Sequence, residues 1–178
     1  YPAGWLDGET LLIRRAGNPT VQELTFPGNT FTRLYKVSKK GGRQVLFFAL
    51  SMDHICMAKD GRILYNNVKG YEDPWRKHHT SSITRDIYMK QGDAYKRMTT
   101  FEGEDRNPVW APDGNSYYYL SEQDGTFNVY HSTLDGSRTQ LTHFKGNPVR
   151  YLTISDNGIL SYAYNGELYT QAPGGKPS

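Results

Sequence analysis

The sequence predicts an all-β chain built as a β-propeller of about four four-stranded blades, and three observations carry that prediction. Turn glycines preceded by Asp or Asn recur at Asp7-Gly8, Asp60-Gly61, Asp113-Gly114 and Asn157-Gly158, in steps of 53, 53 and 44 residues. An apolar-Tyr pair follows each, at Leu34-Tyr35, Ile87-Tyr88, Val129-Tyr130 and Leu168-Tyr169. A third turn then appears at Gly41-Gly42, Gln91-Gly92, Asp135-Gly136 and Gly174-Gly175. Three markers in step over four copies, at a period of roughly 40 to 50 residues, read as successive blades. Asp can hydrogen-bond its own backbone and Gly accepts a positive φ, so each turn suits a tight hairpin.

Composition agrees with strands. Aromatic residues make up 13% of the 178, with 14 Tyr against 4 Met, and no window holds a 3.6-residue apolar period. The longest apolar run, residues 45–50, has six residues, far short of the roughly 20 that cross a bilayer. No membrane span is expected, and no leader is visible in a chain that starts at Tyr1. The one cysteine, Cys56, falls where strand alternation buries a small side chain. Cysteine poverty leaves a periplasmic or a cytoplasmic location open.

The first copy, residues 1–50, opens in a strand at 1–5 and continues with strands at 10–15, 30–38 and 43–50. Between the second and third lies a loop with Asn18-Pro19 and Pro27-Gly28. Its fourth strand carries Val45-Leu46-Phe47-Phe48, apolar at successive positions, which implies neighbours on both faces. The second copy, 51–100, reads as strands at 53–58, 62–67, 83–90 and 94–99, with an insertion at 68–82. The third, 101–143, is the most complete, and Trp110 on its first strand is expected in the core. The fourth, 144–178, gives strands at 150–155, 159–164 and 167–171 and lacks an outer strand. That leaves an unpaired edge open to self-association, so the chain is expected to be an arc of a larger ring, with a self-closed four-bladed ring as the alternative. Its remaining blades would be partners.

Charge is uneven. Residues 1–97 hold 16 Lys/Arg against 9 Asp/Glu, and residues 98–178 hold 5 against 9. This is too dilute a basic face for nucleic acid, which is not expected as a partner, but it suits an anionic group such as a peptide C-terminus. No Gly-x-Ser-x-Gly elbow is present, and no catalytic residue is assigned. Adjacent His78 and His79 would point to opposite sides of an extended segment and make a poor chelating pair, so neither a metal nor another cofactor is expected. Asp7, Asp60 and Asp113 recur at one turn position and are read as hairpin caps. The candidate peptide-binding residues are Trp75, Arg76, Lys77, His78 and His79 of the insertion, with Arg85 after it, because an exposed aromatic beside cations can stack on and neutralise a peptide. Packing between blades is the other reading of the insertion, and Arg85 with Asp86 also reads as an exposed pair.

The third copy is similar to the TolB-type propeller repeat, whose marks are a W-S-P-D-G turn, an S-x-x-x-G turn and an (N/D)-I-Y strand. Here these are Trp110-Ala111-Pro112-Asp113-Gly114, residues 121–125 and Asn128-Val129-Tyr130. The insertion with Arg76-Lys77-His78-His79, followed by Thr84-Arg85-Asp86-Ile87-Tyr88, resembles the N-terminal propeller of tricorn-type serine proteases. That resemblance implies a non-catalytic propeller guiding a peptide substrate, with a PDZ-like module and a protease domain downstream. A TolB-like interaction scaffold, and the propeller of a prolyl-oligopeptidase-type enzyme, are the alternatives.

Overall fold

Three of the four recurring hairpins begin with an aspartate doing backbone work, and in the fourth the Ser155 hydroxyl accepts the Ile159 N–H at 3.0 Å. Asp7 Oδ1 accepts the N–H groups of Glu9 at 2.8 Å and Thr10 at 2.7 Å, Asp60 accepts that of Arg62 at 3.1 Å, and Asp113 that of Asn115 at 2.9 Å. Gly61, Gly114 and Gly158 follow with φ of 86°, 68° and 85°, values a side chain would resist. The recurring carboxylates are therefore caps, as their periodicity suggested.

The structure is a computed structural model that describes residues 2–16, 32–70, 76, 78 and 80–178. All fifteen elements are strands, and no helix occurs among the described residues. The first sheet holds β1 (Pro2–Trp5), β2 (Thr10–Ala16), β3 (Thr32–Ser38) and β4 (Val45–Phe48). The second holds β5 (Met52–Met57), β6 (Ile63–Asn67), β7 (Ile87–Gln91) and β8 (Ala94–Arg97). The third holds β9 (Asp105–Trp110), β10 (Ser116–Ser121), β11 (Asn128–Thr133) and β12 (Arg138–Gln140). The last has three strands, β13 (Arg150–Ile154), β14 (Leu160–Tyr164) and β15 (Glu167–Gln171). Pairing within every sheet is antiparallel and sequential. The first strands pack side by side in the order β1, β5, β9, β13. On the outer edge of β15, Ser178 and Thr170 exchange two backbone hydrogen bonds of 2.9 and 3.0 Å.

The core is divided into three seams, because strands with neighbours on both faces bury side chains in both directions. Leu34 and Phe48 meet Met52, Ile63 and Tyr65 between the first two sheets. Ala58, Leu64 and Ile87 meet Trp110, Tyr117, Tyr119 and Tyr130 between the second and third. Val109, Leu120, Phe127 and Val129 meet Val149, Leu152, Leu160 and Tyr162 between the third and fourth. Trp110 is thus core, and the tyrosine-rich composition goes into these seams: Tyr117, Tyr119 and Tyr130 form a ladder with ring centroids 5.6 and 5.7 Å apart.

Two expectations are corrected. The run at 45–48 is not enclosed on both faces: Val45 and Leu46 are 51% and 50% exposed, and only Phe48 is buried. β4 lies at the rim of its sheet, where radially arranged sheets diverge, and only Phe48 reaches across to Tyr65 and Tyr95. The strand expected at 83–90 begins only at Ile87. Thr84 folds back on Ser81, its N–H and hydroxyl both donating to the Ser81 carbonyl, at 3.3 and 2.8 Å. This local turn competes with extension.

Candidate functional site

The four first strands converge on an axial cavity of about 530 Å³, lined by Arg14, Asp53, His54, Asn107 and Tyr151 among others. A bulge in each strand shapes it. Register slips between Pro2 and Gly4 in β1, Asp53 and Cys56 in β5, Arg106 and Val109 in β9, and Arg150 and Thr153 in β13. At the last three bulges His54, Asn107 and Tyr151 take left-handed backbone, with φ of 45°, 55° and 58°. Each lies seven residues before its turn glycine. Non-glycine residues held there cost of order 1 kcal/mol or more and concentrate where a fold does something specific. Bulges also re-aim side chains beside binding sites.

The chemistry at this end is a held ion pair beside a neutral imidazole. Arg14 donates to Asp53 Oδ1, and the His54 N–H donates to the same oxygen at 2.9 Å. Burial works to raise the Asp53 pKa, but His54, Arg14, that N–H and Arg85 together outweigh it and hold the carboxyl below its ordinary value. For His54 burial is the main influence, and with Arg85, Arg106 and Arg14 it overrides the attraction of Asp53. The ring pKa falls, so His54 is neutral at pH 7 and offers one donor and one acceptor. Cys56 receives the Trp110 N–H at 3.3 Å, and burial raises its thiol pKa. It is a protonated packing group with no raised nucleophilicity. Among the described residues no three His, Cys, Asp or Glu side chains gather as a metal site.

A second cavity of about 400 Å³ opens at the turn end of the axis, between Asp60, Arg62, Trp110, Asp113 and Asp156. It shares Cys56 and Ile154 with the first, so the two meet along the axis. Arg62 is fixed there, with its guanidinium 4.8 Å from the Trp110 ring and donating to the Gly114 carbonyl at 2.6 Å.

The residues singled out from sequence are split by the fold. Trp75, Lys77 and His79 lie outside the described residues. Arg76 and His78 are exposed, and the His78 N–H donates to Glu122 Oε2 at 2.7 Å. Glu122 Oε1 accepts the Glu104 N–H at 3.3 Å, and Glu104 pairs with Arg85 at 3.3 Å and Arg106 at 3.2 Å. This chain of contacts ties the insertion to the third sheet and brings Arg85 onto the His54 side. The reading of Arg85 and Asp86 as an exposed pair is overturned. Asp86 is buried and bound by Lys69 at 2.8 Å and Arg97 at 2.6 Å, because successive residues of an extended segment face opposite ways. Sequence reasoning missed Arg14, Asp53, His54, Asn107 and Tyr151. The available signal was the constant offset of His54, Asn107 and Tyr151 from the turn glycine.

No protein-family model and no curated protein matches the chain. Solved structures do. A TolB-type protein of Agrobacterium tumefaciens matches 96% of this chain and 60% of its own length, at 17% identity and a TM-score of 0.66. TolB of Acinetobacter baumannii matches 99% of this chain and 42% of its own, at 20% identity and 0.67. The fold is a β-propeller. The tricorn protease also matches, over 97% of this chain and 21% of its own, at 17% identity and 0.55. At these identities the likeness fixes architecture, not activity, and the chain spans less than two thirds of the length of each of these proteins. Among the described residues no helix is long and apolar enough to cross a membrane.

Proposed function

We propose that this propeller binds an extended peptide at its axis and serves as a non-catalytic guide in a tricorn-like serine peptidase. The observation that carries the reading is the axial cavity lined by all four sheets, with left-handed bulge residues and a neutral His54 at its mouth. Such a site offers polar groups at fixed positions, with the Arg14 and Asp53 charges already paired to each other, which suits peptide backbone. The insertion adds Arg76 at an exposed position, and Arg85 connects it toward His54 through Glu104 and Glu122. The double variant Arg76→Ala with Lys77→Ala is expected to weaken peptides with free C-termini by roughly tenfold, the worth of one exposed charge-assisted contact. Amidated peptides should be unaffected and the circular dichroism unchanged. Equal affinity for both peptides in titration calorimetry reduces the insertion to a packing element. Peptide turnover that depends on a residue of this chain removes the non-catalytic assignment.

A second reading, a TolB-like interaction scaffold with no protease attached, is favoured by the higher structural similarity to TolB. The coding sequence beyond Ser178 separates the two. A PDZ-like stretch with a serine nucleophile supports the first, and another protein-binding module supports the second.

A further inference from the structure

We propose that the wall of the axial cavity answers to pH: loss of the Asp105 proton parts the seam between the second and third sheets beside that cavity and frees the Asn107 bulge. The geometry behind this is a clamp closed around a buried acid. One side chain, Asn66 on β6, holds the backbone of β9 at two points, donating to the Asp105 carbonyl and accepting the Asn107 N–H, each at 2.8 Å. The Asp105 N–H adds a third bond across the seam, to the Arg85 carbonyl at 3.0 Å. Between these bonds the Asp105 side chain is buried, and among the described residues neither carboxylate oxygen accepts a hydrogen bond of good geometry. A neutral acid tolerates such a site. An ionised one needs water or a cation, because an uncompensated buried charge costs far more than an unmet polar group.

The groups around it do not supply that cation. On the second sheet Asp86 adds like charge, and the two cations beside it, Lys69 and Arg97, are already bound to Asp86 at 2.8 and 2.6 Å. Arg85 and Arg106 both turn to Glu104, at 3.3 and 3.2 Å. Thr99 beyond β8 and Ser121 on β10 offer hydroxyls, and Arg138 on β12 attracts it. The phenols of Tyr117, Tyr119 and Tyr130 also feel its charge and stay neutral, since burial raises all three. On the other strands packed against β9, Asp53 of β5 is paired with Arg14, His54 is neutral, and Arg150 of β13 is felt by Arg106. Burial outweighs the favourable groups and carries the Asp105 pKa from 3.8 to about 7. Once water reaches the carboxyl its pKa returns toward the lower value, so opening favours the ionised form. The opened population therefore rises about tenfold per pH unit between these values and is constant above the upper one. The clamp is the part that gives way, since polar bonds hold it where the rest of the seam is apolar, and local opening needs less than global unfolding. Asn107 then retains the bond from its own amide to the Leu152 carbonyl at 2.7 Å, and the wall it shares with His54 changes shape. The axial site is thus best organised in acid and loosens toward neutral pH, whatever it binds.

Native-state hydrogen exchange of the whole chain, read by NMR from about pH 4 to about pH 8, tests this without a ligand, so it stands or falls apart from the peptide reading. The Asn107 N–H reports the clamp, and the Val129 N–H, bonded to the Thr142 hydroxyl at 2.8 Å in the core of the third sheet, reports global unfolding. Exchange chemistry alone accelerates about tenfold per pH unit. Asn107 should accelerate roughly a hundredfold per unit below about pH 7 and roughly tenfold above it, and small additions of urea should leave its rate unchanged while raising that of Val129. In Asp105→Asn its rate should climb about tenfold per unit throughout. A hundredfold-per-unit climb that persists in Asp105→Asn overturns the proposal. So does an Asn107 rate that follows Val129 at every urea concentration, since the clamp would then open only with the whole fold. If the variant does not fold, the wild-type profile still decides: a climb of about tenfold per unit below about pH 7 rules the Asp105 proton out.

Discussion

Replacing Asp105 with Asn is expected to stabilise the protein above neutral pH and to leave it unchanged near pH 4. Asp105 is 1% exposed at the seam between the second and third sheets. Its N–H donates to the Arg85 carbonyl at 3.0 Å, and its own carbonyl accepts the Asn66 side chain at 2.8 Å. Neither carboxylate oxygen finds a hydrogen bond of good geometry. Burial pushes its pKa from 3.8 up to about 7, helped by the negative Asp86 and opposed by the Ser121 and Thr99 hydroxyls and by Arg138. The folded state therefore binds more protons than the unfolded one between these two values. Stability falls as pH rises through that window and levels off above it. A shift of this size corresponds to roughly 4 kcal/mol at full extent. Asn keeps the shape of the neutral acid and cannot ionise, so the fall should vanish. Urea denaturation of both proteins from pH 4 to pH 8 measures it. Parallel pH profiles for wild type and variant would show that Asp105 does not carry this charge penalty.

The fold was legible because its determinants are local and repeated. Gly61, Gly114 and Gly158 need a positive φ, Asp7, Asp60 and Asp113 need to sit beside the N–H groups they cap, and these demands print a period on the sequence. The apolar-Tyr pairs were legible for the same reason, although the polar residue before them acquires its meaning only in three dimensions. Asn128 accepts the Thr142 hydroxyl and the Phe144 N–H, both at 2.9 Å, while the Thr142 hydroxyl accepts the Val129 N–H at 2.8 Å. In the second sheet Thr99 accepts the Ile87 N–H at 3.1 Å, but Asp86 turns to Lys69 and Arg97 instead. The axial site was not legible. His54, Asn107 and Tyr151 share no side-chain chemistry, and what they have in common is a backbone conformation. Arg14 and Asp53 belong to different sheets, and only the radial packing of those sheets joins them. The enclosure of Asp86 escaped notice because a charge run looks solvated until its counter-ions are placed.

Asn66→Leu is expected to be among the most destabilising single substitutions in the protein, at about 4 kcal/mol, because it strands two backbone groups, the Asp105 carbonyl and the Asn107 N–H, at about 1–3 kcal/mol each. It also leaves the Asp86 carbonyl with only the Asn67 N–H at 3.2 Å. Asn66 is fully buried. Its amide donates to the Asp86 carbonyl at 3.3 Å and the Asp105 carbonyl at 2.8 Å, and its oxygen accepts the Asn107 N–H at 2.8 Å. Leucine fills a similar volume, so the loss is one of hydrogen bonds and not of packing. The last of these bonds also reaches the axial site. Asn107 is held in its left-handed conformation from two sides, by Asn66 and by its own amide donating to the Leu152 carbonyl at 2.7 Å. Removing one support should let the bulge relax toward extended backbone, changing the wall of the cavity that His54 and Tyr151 share with it. Peptide affinity should then fall even under conditions where the variant is fully folded. Asn147→Ala is the control: it breaks an exposed 2.7 Å contact with Asn165 and should cost well under 1 kcal/mol with no change in binding. If Asn66→Leu proves no more harmful than this control, the bond network between the second and third sheets is not what fixes the axial bulge.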